Sequence, residues 1–129
     1  MKYMLLIHGD RNGWNALASW SKEDIKRMVE FMRSLDAELR DSGELRELNG
    51  LSGPSGARTV RAQEDGNVLV RDGLRSGAED FLAGYWVVDV ASPERAVEIA
   101  ARISATPGPG GAPVNQQVEI HAIGEPPEV

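Results

Sequence analysis

The spacing of apolar residues in the first third of the chain predicts a strand followed by a helix. Residues 2–8 form a β-rich apolar run, which predicts a first strand. The polar, tryptophan-bearing residues 11–19 then predict a loop. Apolar positions next recur at helical spacing between Ser21, which can cap a helix, and Gly43, which can end it at C′. This segment is therefore expected to be an amphipathic helix with one buried face.

The middle of the chain predicts three further strand segments and a short connection. Residues 44–51 alternate as a strand does, and residues 57–63 with 67–71 predict a β-hairpin across a glycine turn. Residues 74–83 predict a connection that includes one helical turn. Residues 84–90 are the most apolar strand candidate of the chain.

The last third repeats the pattern of a helix followed by a strand. Ser92 can cap a second helix and Pro93 suits its first position, where no backbone N–H is needed. The proline- and glycine-rich residues 106–113 predict a loop, and residues 116–123 predict the last strand. Residues 125–129 are expected to be a short C-terminal tail.

The resulting order of elements predicts an α+β fold with the topology of a ferredoxin-like sandwich. Two β-α-β units with an extra β-hairpin between them form a single domain over residues 1–124, with both helices on one face of the sheet. The other face is then bare, and a bare apolar face commonly marks an interface. We therefore expect a homodimer in which two sheets pair face to face and close a barrel.

Composition narrows the classes of partner. The formal net charge is −6 and no basic cluster offsets it, so nucleic-acid binding is not expected. No apolar run is long enough to cross a membrane, and the absence of cysteine suits a reducing cytoplasm. We expect a cytoplasmic protein with no bound cofactor or metal.

The two histidines of the chain are the first candidates for acid–base chemistry. His8 ends the first strand, and His121 lies on the last strand with Glu119 on the same face. If Leu5 lies opposite Ile120, the two imidazoles are roughly 13 Å apart in one subunit, too far to share a metal ion. For each histidine, a structural hydrogen bond is the alternative role.

Short motifs in the order of one known family extend over nearly the whole chain. They are the opening Lys-Tyr-Met-Leu-Leu-Ile, the tryptophan-bearing loop, Asp72-Gly73, the Gly-Tyr-Trp strand, Ser-Pro-Glu-Arg-Ala and the closing Val-Glu-Ile. In this order they resemble the YCII-related proteins, in particular the branch named after an Asp-Gly-Pro-Phe motif. The resemblance implies a dimeric α+β barrel with a cleft between the sheets. It also implies a family in which most members have no assigned function, a few relatives with this barrel are lyases or isomerases of small organic molecules, and some members are encoded beside alternative sigma factors.

The sequence departs from the family pattern at its characteristic motif. The tetrapeptide reads Asp72-Gly-Leu-Arg75, so only its first half is retained. Some relatives pair a histidine on the first helix with an aspartate, whereas residues 21–42 contain no histidine. Asp72 is the acidic residue that the motif transfers to this chain, and a turn is its alternative role.

Two classes of function follow from these observations. In the first, the dimer binds a small organic molecule in a cleft of the barrel, with possible lyase- or isomerase-type acid–base chemistry carried by His8, Asp72, Glu119 and His121. In the second, the chain is a non-catalytic regulatory or interaction protein, such as one associated with an alternative sigma factor, as the resemblance implies for some members. A cavity large enough for a ligand would favour the first class.

Overall fold

Four of the six strands form one antiparallel sheet in the computed structural model, which describes residues 1–128. The elements are β1 (Lys2–Asp10), α1 (Arg11–Leu17), α2 (Lys22–Asp41), β2 (Leu45–Gly50), β3 (Arg58–Ala62), β4 (Val68–Asp72), β5 (Asp80–Asp89), α3 (Pro93–Ser104) and β6 (Gln117–Ala122). The sheet order is β2-β5-β1-β6. The prediction of a ferredoxin-like α+β fold with an inserted hairpin is therefore confirmed.

The register of the central strand is the one that the sequence predicts. Leu5 pairs with Ile120 on one side and with Trp86 on the other. Leu5, Trp86 and Val88 are each at most 1% exposed, and they pack with α2 and α3 in one core. Since side chains alternate along a strand, the odd positions of β1 face the helices and the even positions face away from them.

The segment between β1 and α2 is a helix, so the prediction of a loop over residues 11–19 is wrong. Asp10 occupies the N-cap position of α1, and its side chain accepts a hydrogen bond of 2.6 Å from the Gly13 backbone N–H. An aspartate at this position satisfies one of the free N–H groups of a first turn. The cap thus compensates for the poor helix propensity of glycine inside α1.

The predicted helical turn before the strongest strand is also absent, because β5 begins at Asp80. Asp80 pairs with Asp10, and Phe81, which is 4% exposed, pairs with Gly9. A bulge between Ile7 and His8 shifts the β1–β5 register at this point. β1 therefore extends beyond the predicted end of the first strand at residue 8, and β5 begins before the predicted start at residue 84.

The caps of the two long helices are as predicted. Ser21 accepts a hydrogen bond from the Asp24 N–H, and Ser92 accepts one from the Arg95 N–H. Gly43 has φ +78 beyond the end of α2, in the C′ position. The apolar Val97 would be expected on the buried face of α3, but it is 57% exposed. The residues that α3 buries are Ala96, Ile99, Ala100 and Ile103.

The inserted hairpin, β3 with β4, is a separate two-stranded sheet. Every residue from 60 to 72 is exposed, including Val60 and Val70, which pair directly. The hairpin therefore contributes little to the core. Residues 125–128 of the predicted tail have no regular structure, and Val129 lies outside the described residues.

Candidate functional site

A cavity of about 630 Å³ lies between α1, the inner face of α2 and one end of the sheet. Its walls are mainly apolar and include Phe31 and Leu35 of α2, Ile7 of β1 and Trp86 of β5. The volume is within the range of small-molecule sites, and the lining has their usual apolar character. The cavity is on the face of the sheet that carries the helices, whereas the cleft predicted from the resemblance lies between two sheets.

Aromatic side chains form much of the cavity wall. All three tryptophans of the chain line it, and Phe81 meets Trp14 edge to face with ring centroids 5.6 Å apart. Trp14 also lies directly over Gly53, where a Cβ atom would be 2.5 Å from the indole ring. Trp14 therefore fixes α1 against both β5 and the loop after β2.

The wall opposite α1 is formed by the segment between α3 and β6. Thr106 and Val114 of this segment line the cavity, and the Gly110 N–H donates a hydrogen bond of 3.2 Å to the Asp24 carboxylate. The Ser21 side chain, followed by that backbone donor, holds the pKa of Asp24 below its ordinary value. The start of α2 is thereby joined to the cavity wall.

His8 lies between the cavity and the bare face of the sheet. It lines the cavity, and its Nε2 atom is 2.5 Å from Oε1 of Glu119. The oxygen is out of line with the ring N–H, so neither ring nitrogen of His8 has a hydrogen-bond partner within residues 1–128. The His8 side chain is 20% exposed, whereas that of Glu119 is 57% exposed. An imidazole in this position can exchange a proton with a bound molecule and with the carboxylate.

Glu119 also brings the second histidine into the same cluster. Nε2 of His121 is 3.6 Å from Oε2 of Glu119, and its side chain is 58% exposed. The register that places His121 opposite Met4 and His8 opposite Gln117 is as predicted. The two histidines thus share one carboxylate without contacting each other through a hydrogen bond or ion pair.

Asp72 lies apart from these three residues, at the end of β4 in the separate hairpin. Its side chain is 92% exposed, and its carboxylate is 3.5 Å from Nε of Arg58, which is its cross-strand partner. The following Gly73 donates its N–H to the Ala57 carbonyl. In this arrangement Asp72 closes the open end of the hairpin.

The cavity was not predictable from a sequence pattern that indicated a loop over residues 11–19, because α1 forms one of its walls. Trp14 and Leu17 lie three residues apart and both line the cavity, which is the helical spacing that could have revealed α1. The helical spacing of apolar residues predicts a buried face of α2 that includes Met28 and Met32, and both residues also line the cavity. Trp86 was expected in the core, and it is both a core residue and a cavity residue.

Two further properties of the described chain bear on its class. Within residues 1–128, no three or more histidine and carboxylate side chains are grouped so as to hold a metal ion. None of the described helices is long and apolar enough to cross a membrane.

Comparison with known proteins places the chain in a family. Residues 1–111 match the sequence model of the YCII-related domain. The chain belongs to the YCII-related family. A curated relative from Rhizobium meliloti (strain 1021), an uncharacterized protein, is 27% identical over 128 residues, which cover 98% of this chain and 99% of the relative. This YCII-related chain is therefore similar, over nearly its whole length, to a protein that is itself uncharacterized.

Proposed function

We propose that this YCII-related protein binds a small, largely apolar organic molecule in the cavity beneath α1. The cavity itself carries the proposal, since about 630 Å³ enclosed by aromatic and aliphatic side chains suits such a ligand. The polar part of the lining includes Asp10 and Asp80, which pair across the strands at one end of the cavity. An apolar ligand body with a polar group at that end fits this lining.

We further propose that His8 is the acid–base group of the site and that Glu119 is its carboxylate partner. His8 is the member of the predicted set that both lines the cavity and contacts Glu119. A lyase or isomerase of a small organic molecule needs one group that takes a proton and returns it, which an imidazole can do near neutral pH. His121 and Asp72 have no comparable access to the cavity, so they are assigned no catalytic step.

A metabolite screen with matched variants tests both parts of this proposal. His8→Gln keeps a polar side chain of similar length but cannot act as an acid or base, and His121→Gln is its control on the same carboxylate. Ligands found by thermal shift should bind wild type and both variants, whereas turnover followed by NMR should be lost only in His8→Gln. Equal turnover in His8→Gln and wild type would contradict the role of His8. The absence of any ligand would favour a non-catalytic regulatory protein.

We also propose that the bare face of the sheet joins two copies of the chain in the cytoplasm. Met4, Leu6 and Val87 lie on that face and are only half-buried in one copy. Polar groups flank them: the Tyr85 hydroxyl donates to Glu47, and the Glu119 cluster lies on the other side. An apolar centre with a hydrogen-bonded rim is the usual composition of a protein interface.

A further inference from the structure

One face of the inserted hairpin is apolar and uncovered. Val60 pairs with Val70 and Ala62 pairs with Val68, and residues that lie opposite each other or two apart along a strand share a face of the sheet. These four side chains, which we call the valine face, are therefore contiguous. Each of the three valines is between 56% and 62% exposed, so residues 1–128 leave them largely uncovered.

Contiguous exposed valines on a hairpin need an explanation that single exposed apolar residues do not. Isolated apolar side chains are common on protein surfaces, whereas contiguous ones mark interaction sites. A two-stranded hairpin on which nothing packs is at best marginally stable in water, and β3 and β4 form a sheet of their own. A surface that covers the valine face would therefore remove apolar area from water and stabilise the hairpin.

A charged pair on the same face indicates what that surface is. Arg58 and Asp72 are cross-strand partners at one end of the valine face, and both are exposed. Opposite charges side by side match the same surface turned over by a two-fold axis. With the axis parallel to the strands, β3 of each copy lies over β4 of the other. Arg58 of one copy then faces Asp72 of the second copy, and Val60 faces Val70.

We propose that the valine face joins two copies of the chain, with their hairpins packed face to face. Sheets packed in this way are about 10 Å apart, which lets the valines meet and brings each Arg58 within reach of the opposite Asp72. The contact uses the hairpin alone, so it goes beyond the pairing proposed for the bare face of the four-stranded sheet. It gives Asp72 a role in association between copies.

Single cysteines test which face of the hairpin meets a second copy. The chain contains no cysteine, so an introduced thiol is the only one present. Val70→Cys places it on the valine face, and Leu69→Cys places it on the opposite face at similar exposure. A short bismaleimide should crosslink two copies of Val70→Cys at least about fivefold faster than two copies of Leu69→Cys, because contact raises the effective thiol concentration. Equal rates for the two variants would overturn the proposal.

Charge reversal in the Val70→Cys background tests the two-fold arrangement. Arg58→Asp and Asp72→Arg each place like charges over one another, so each should slow crosslinking by about fivefold. In an equal mixture, the acidic pair of one variant faces the basic pair of the other, so unlike chains should crosslink at the rate of the parent. Arg61→Asp is the control, since it makes the same change of charge as Arg58→Asp on the opposite face and should leave the rate unchanged.

The substituted side chains are all exposed, so the variants should fold as wild type does. The crosslinking rates therefore report association between hairpins and not loss of the hairpin. Parent rates for both charge-reversed variants, or no recovery in the mixture, would overturn the face-to-face packing.

Discussion

Arg95 joins α3 to the start of β2 through a two-point contact with one carboxylate. Its Nε and a terminal guanidinium nitrogen donate to the two oxygens of Glu44 at 2.9 and 3.0 Å. These hydrogen bonds are the main reason that the pKa of Glu44 lies below its ordinary value. Burial of the carboxylate acts in the opposite direction and raises the pKa. The Glu44 side chain is 18% exposed, so the pair is partly shielded from solvent.

Glu44→Gln is expected to lower the free energy of unfolding by about 1 kcal/mol at pH 7. The folded-state pKa of Glu44 is below the ordinary value of 4.5. The additional free energy of unfolding of wild type over Glu44→Gln is therefore fully present above pH 4.5. It is lost as the pH falls through the folded-state pKa. Urea unfolding of both proteins across acidic pH measures this loss.

Glu98→Gln is the control for this ion pair. Glu98 contacts the same Arg95 at 3.0 Å, but its side chain is 65% exposed. An exposed ion pair contributes little to stability, so the free energy of unfolding of this variant should stay within about 0.5 kcal/mol of that of wild type. Equal losses for Glu44→Gln and Glu98→Gln would contradict the special role of Glu44.

The helix α1 has few attachments to the rest of the molecule, although it forms one wall of the cavity. It has seven residues and none of them is buried. It is attached by the Asp10 cap and by Trp14, which contacts Phe81 and packs over Gly53. Elements with few buried contacts open at a lower free energy than the core. We therefore expect α1 to open for ligand entry while the sheet stays folded.

Gly53→Ala is expected to displace Trp14 and so disturb the cavity. Gly53 has φ +97 and ψ 172, a conformation that is largely restricted to glycine, and the added Cβ would be 2.5 Å from the Trp14 ring. Amide hydrogen exchange in α1 should become faster. The affinity for a ligand that binds in the cavity should fall by about tenfold. Gly66→Ala is the control, since Gly66 has φ +85 with nothing within 4 Å. Unchanged exchange in Gly53→Ala would show that Trp14 does not hold α1.

The elements with strong local patterns were predictable from the sequence, and the elements that depend on distant partners were not. Ser21, Gly43 and Ser92 act on their own helices, so the bounds of α2 and α3 follow from local chemistry. The sequence of α1 contains Gly13 and two asparagines, which disfavour a helix, and the Asp10 cap and the packing of Trp14 override that preference.

The candidate site was predictable to a similar extent. Alternation along β6 places Glu119 and His121 on one face, and the predicted register places His8 opposite Gln117, two residues before Glu119. The position of Asp72 was not predictable from its motif, because a separate hairpin carries it.

For the whole molecule, pairing through the bare face is the property most open to test. Leu6 lies near the centre of that face, between Tyr85 and Glu119 on the neighbouring strands. Leu6→Lys should raise the dimer dissociation constant at least about tenfold, because a desolvated charge would be placed in the seam. Sedimentation equilibrium at micromolar concentration measures this change.

Val97→Lys is the matched control for the dimer, since Val97 is 57% exposed on the outer side of α3. Its dissociation constant should equal that of wild type. A monomeric wild type, or a Leu6→Lys protein that dimerises as tightly as wild type, would exclude this face as the interface.

The central position of β1 also determines when the sheet can assemble during synthesis. Tyr3 of β1 pairs with Val88 on one side and with Ala122 on the other, so both neighbours of β1 are made much later than β1 itself. Pairings between residues so far apart in sequence form slowly, and unpaired strand edges promote aggregation in the meantime. A nascent chain that has not yet reached residues 117–122 keeps one edge of β1 open. The sheet therefore stays incomplete until residues 117–122 have been made, and until then a chaperone that covers β1 would protect it.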